Sequence, residues 1–113
     1  MQVQVHTDNH IDGSEKLTVH VQSVVGDALS RFGNRITRVE VQLGDENSRA
    51  KGGGDDKRCT VEARLAGMQP TTVTHHAATI DQALDGALER LEKTLDRTLG
   101  RQDPKGRASM SGE

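Results

Sequence analysis

Residues 79–99 read TIDQALDGALERLEKTLDRTL, and the beat of the large aliphatics decides what kind of fold this chain can adopt. Ile80, Leu84, Leu88, Leu91, Leu95 and Leu99 recur at steps of four and three, which suits one face of a helix and no strand. Thr79 stands ahead of the run with Gln82 three residues on, the pattern of a capping box. Each helical residue turns about 100°, so the leucines stay within roughly 60° of Leu84. Asp85, Glu89, Glu92 and Asp96 fall on one flank of that stripe. Arg90, Lys93, Arg97 and Arg101 fall on the opposite flank and outer face, as a ridge about 16 Å long. Such a ridge can bridge successive phosphates of a folded RNA, each contact releasing counterions. The plainer alternative is a solvated helix face: Glu89 and Lys93 form a favourable i,i+4 pair, and cations near a helix C-terminus suit the macrodipole. Segregation of the two signs is what distinguishes this helix from an ordinary one.

The rest of the chain supplies a surface for that helix to cover. Residues 2–6, QVQVH, alternate polar and apolar, which predicts a half-buried strand with Val3 and Val5 inward. After the turn chemistry of DNHIDGS, Ser14 caps a helix that places Leu17, Val21, Val24, Ala28 and Phe32 on one face. Gly33 and Asn34 stop it. A strand follows with Val39, Val41 and Leu43 sharing a face, then an unpatterned stretch, 44–57, read as a flexible hairpin loop. Cys59, Val61, Ala63 and Leu65 alternate inward in a third strand, and TTVTHHA gives a weaker fourth around Val73. The expected fold is α+β, ordered β-α-β-β-β-α: a two-layer sandwich with a four-stranded mixed sheet and both helices on one face. Gln2, Gln4, Arg38, Glu40, Gln42, Thr60, Glu62 and Arg64 would form the polar outer face. Residues 1–101 make one domain in this reading, and 102–113 a disordered tail.

Composition narrows the function. A chain of 113 residues with 32% hydrophobic residues holds one modest core. One Phe and no Tyr or Trp make that core aliphatic and leave no aromatic platform for stacking bases. The net charge of -2 gives no chain-wide attraction to nucleic acid, so any such surface must be local. Cys59 is the single cysteine, which precludes an internal disulfide and a cysteine zinc cluster, and it reads as a small buried hydrophobe. The polar N-terminus resembles no signal peptide, and no apolar run reaches the length of a membrane span. These features suit a cytoplasmic protein. His75 and His76 are adjacent in a strand and point to opposite faces, so they cannot share one metal ion, though His76 could meet a phosphate from the outer face. GGGDDK at 52–57 lacks the ending and context of a phosphate loop. No metal, cofactor, small-molecule substrate or catalytic set is expected, and hence no enzyme.

Three stretches carry a resemblance: HI at 10–11, ITRVEVQL at 36–43 and ALDGALERLEKTL at 83–95. With the order of elements, they make the chain resemble the ribosome hibernation-promoting factor and ribosome-associated inhibitor family, formerly called sigma-54 modulation proteins, over residues 1–101. The resemblance implies a stress factor that lodges between the head and body of the small ribosomal subunit, on small-subunit or intact ribosomes. There it would overlap the mRNA and tRNA sites and inhibit translation. It also implies that Arg90, Lys93 and Arg97 contact ribosomal RNA, with Arg101 extending the row; in this reading Lys57, Arg58 and Arg64 are weaker contributors from the sheet. The first helix departs from the family pattern in keeping only Lys16 and Arg31 as basic residues. The chain is expected to be a monomeric short form. A second expectation is a protein-interaction module of the same fold without ribosome binding, using the acidic flank for a basic partner.

Overall fold

The computed structural model describes residues 1–8, 14–45 and 56–102, with side chains as far as Gly100. Its elements are β1 (Gln2–Thr7), α1 (Glu15–Leu29), a 3-10 segment (Ser30–Arg35), β2 (Ile36–Asp45), β3 (Lys57–Leu65), β4 (Thr71–Ala77) and α2 (Ile80–Gln102). The four strands lie in the sheet in chain order. β1 pairs parallel with β2, and β2, β3 and β4 pair antiparallel in turn. The parallel pair follows from placing a helix between β1 and β2, since such a pair needs a long crossover. The expected α+β sandwich is therefore the observed one.

Register aligns the faces across the sheet. Val3, Val39 and Ala63 are successive partners, as are Val5, Val41, Val61 and Val73. These rows point at the helices, and one cluster joins them to Val21, Val25 and Leu29 of α1 and to Leu84, Leu88, Leu91, Leu95 and Leu99 of α2. α1 packs on β1, whereas α2 packs on β4 and β3. Leu91 and Leu95 are fully buried, each worth roughly 1.5–3 kcal/mol of hydrophobic stabilisation. Phe32 is the aromatic member of an otherwise aliphatic core.

Two local expectations are corrected. The fully buried residues of α1 are Val21, Val25 and Leu29, while Leu17, Val24 and Ala28 only border the core. The face is rotated by one residue because α1 ends at Leu29, and Phe32 enters the core from the 3-10 turn that follows. Gly33 permits that turn at φ 56°, a conformation that costs other residues energy. The β2–β3 ladder also runs further than the alternation suggested. Gly44 pairs with Arg58 and Asp45 with Lys57, and the Lys57 ammonium holds Asp45 at 3.0 Å. Residues 46–55, the remainder of the expected loop, and 103–113, nearly all of the expected tail, lie outside the described residues.

Candidate nucleic-acid interface

α2 is positioned at both levels the sequence specifies. The Thr79 hydroxyl accepts the Gln82 backbone N–H at 3.1 Å, satisfying one of the open donors of the first turn. The leucine stripe then fixes the rotation of the helix against β3 and β4. Ala83 and Ala87, missed by the leucine count, are also fully buried and let the backbone approach the sheet.

With that rotation set, the basic flank lies above β4, the edge strand. Arg90, Lys93, Thr94 and Arg97 form one wall of a groove of ≈ 400 Å³, and Thr72, Val73 and Thr74 form the other. All three cations are exposed. They span about 10 Å along the helix axis. None of them has a hydrogen-bonded or ionic side-chain partner among the described residues. The Thr94 hydroxyl is turned inward, donating to the Arg90 carbonyl at 2.9 Å. The chemistry on offer is three positive charges, without side-chain partners among the described residues, beside an edge strand, which suits phosphate oxygens.

Two acids of the other flank, Glu92 and Asp96, meet the turn after α1. Arg31 donates to both carboxylate oxygens of Asp96, at 2.8 and 3.0 Å, and to Glu92 at 3.5 Å. Its guanidinium also stacks 4.2 Å from the centre of the Phe32 ring. The Asp96 hydrogen bond is the largest influence raising the Arg31 pKa above its ordinary value. Nearer the start of α2, His20 meets Asp81 at 3.0 Å. Glu92 and Asp96 are thus tied to the turn after α1, whereas Arg90, Lys93 and Arg97 face the groove.

The seven residues suggested as RNA contacts are distributed unevenly. Arg90, Lys93 and Arg97 come together in the groove. Arg101 continues the same helix, though its side chain lies outside the described residues. Lys57 is held by Asp45 at the far end of the β2–β3 ladder. Arg58 lies across Gly44 beside Asp8, so closely that a Cβ at Gly44 would overlap its guanidinium. Arg64 is exposed on the outer sheet face and does not line the groove. Thr72 and Thr74 are additions that sequence reading missed; the threonine-rich run TTVT was the available signal. His75 and His76 do separate: His75 packs against Gly86 of α2, and His76 is exposed on the outer face.

A four-stranded sheet in chain order, covered on one face by two helices, defines a class of small α+β domains with solved examples. The N-terminal domain of Protein Y from Thermus thermophilus is similar at a TM-score of 0.68 and 17% identity, covering 87% of this chain and 99% of that one. A ribosomal subunit interface protein from Coxiella burnetii is similar at 0.66 and 14% identity, covering 88% and 99%. Residues 3–103 match the family model described as sigma 54 modulation protein / S30EA ribosomal protein, and the chain belongs to that family. No curated protein matches it by sequence.

Proposed function

We propose that this protein is a non-enzymatic, ribosome-associated hibernation factor. It binds small-subunit ribosomal RNA in the channel used by mRNA and tRNA, on free small subunits or intact ribosomes in the cytoplasm, and inhibits translation by occupying that space. The observation that carries this reading is the groove: among the described residues, Arg90, Lys93 and Arg97 stand along one wall without a side-chain partner, while Arg31, Arg38 and Lys57 are held by carboxylates. Family membership supports it, as does the similarity to a ribosomal subunit interface protein. Arg101 extends the contact in this reading, and Arg64 adds a weaker one from the sheet. The alternative, a protein-interaction module, would have to use Asp85 and Glu89, because Arg31 already holds Glu92 and Asp96.

The test is co-sedimentation of the purified protein with small subunits and with intact ribosomes. Near-stoichiometric retention is expected for the wild type at low salt. Arg90→Glu with Lys93→Glu should abolish it without changing the thermal unfolding midpoint by more than a few degrees, because both residues are exposed. Undiminished binding by that variant would remove the groove from the interface. Wild-type protein left unbound under every condition would overturn the function.

A further inference from the structure

The acidic flank of α2 poses a problem for a polyanion-binding helix. Five carboxylates, Asp81, Asp85, Glu89, Glu92 and Asp96, share the helix with the cationic ridge, and a step of about 100° per residue puts Lys93 only about 60° from Asp96. Residues three apart on a helix are neighbours. A free Asp96 would therefore compete for the Lys93 ammonium, and Glu92 and Asp96 together would repel an approaching phosphate chain.

Arg31 removes both difficulties. It comes from the turn after α1, 65 residues away from Asp96 in sequence, and grips that carboxylate through two parallel N–H···O bonds while also reaching Glu92. The fork geometry of guanidinium suits this bidentate hold, and stacking on Phe32 fixes its plane. Among the described residues, Lys93 has no ionic partner.

We propose that Arg31 is a positioning residue for RNA binding: it holds Glu92 and Asp96 against the end of α1 and so withholds both carboxylates from Lys93 and from the RNA. This rests on the ribosome-binding reading above. It assigns to a basic residue next to the first helix a role in binding that involves no contact with RNA.

The experiment compares wild type, Arg31→Ala, and Arg31→Ala combined with Glu92→Gln and Asp96→Asn, titrated against purified small ribosomal subunits at about 0.1 M salt, where charges within roughly 10 Å still interact. Arg31→Ala should weaken binding about threefold to tenfold, through one competing pair and two uncompensated charges. The triple variant lacks the same bridge, yet should bind at least as tightly as wild type. A strut whose only task is to hold the helices together would leave the triple variant as weak as Arg31→Ala, and that result overturns the inference. So does wild-type binding by Arg31→Ala, when Arg90→Glu with Lys93→Glu still abolishes binding and the functional reading stands. If the wild type itself fails to bind small subunits, both fall.

Discussion

Cys59 shows how far burial alone determines the behaviour of a side chain. Its thiol is fully excluded from water, and burial pushes its pKa from an ordinary 9.0 to about 12. The thiolate is the reactive form, so the native protein should resist alkylation by iodoacetamide at pH 8, with labelling gained only in denaturant. Rapid labelling of folded protein would contradict the burial. The sign of the linked pH effect follows from the same shift. Between about 9 and 12 the unfolded thiol gives up a proton that the folded one keeps, so this group makes stability fall as pH rises through that window. Below 9 it contributes no slope. The inward alternation of Cys59, Val61, Ala63 and Leu65 was enough to place this residue from sequence, because a half-buried strand has only two faces.

At the scale of elements, the contact between β4 and α2 turns on Gly86. A glycine in the middle of a helix ordinarily costs about 1 kcal/mol relative to alanine. Here an added Cβ would run into the His75 ring, down to its Cγ at 2.7 Å. Gly86→Ala should therefore lower stability by about 1 kcal/mol, the overpacking cost exceeding the propensity gain. The same change made beside His75→Ala should raise stability instead, and thermal unfolding followed by far-ultraviolet circular dichroism reads both. Nothing in the local pattern of either element announces this contact, since it depends on which helical residue meets which strand residue across layers. Element identity and order were legible because the chain's periods are clean: two along each strand, 3.6 along α2. The face of α1 was misread by one residue because its valines are close together, and both Val24 and Val25 fit an apolar face until the turn at Gly33 fixes which is buried.

For the molecule as a whole, a net charge of -2 conceals an arrangement of charges that composition cannot express. The ridge of cations was legible from the spacing of Arg90, Lys93 and Arg97. The hold on Glu92 and Asp96 was not, since it depends on Arg31 arriving from a distant turn, and the TTVT run hinted at the threonine wall without showing that β4 is an edge. A surface of three or four phosphate contacts should make the logarithm of ribosome affinity fall with the logarithm of salt at a slope of about -2 to -4. A slope near zero in salt-titrated co-sedimentation would mean that the contacts are not made to phosphates. One last consequence follows from the chain order of the sheet. β4 and α2, the two walls of the groove, are the last two described elements, and a protein is synthesised from its N-terminus onward. The first three strands and α1 can gather while the cationic helix has yet to be made. In the proposed function, a nascent copy therefore lacks its RNA-binding groove until β4 and α2 have both emerged.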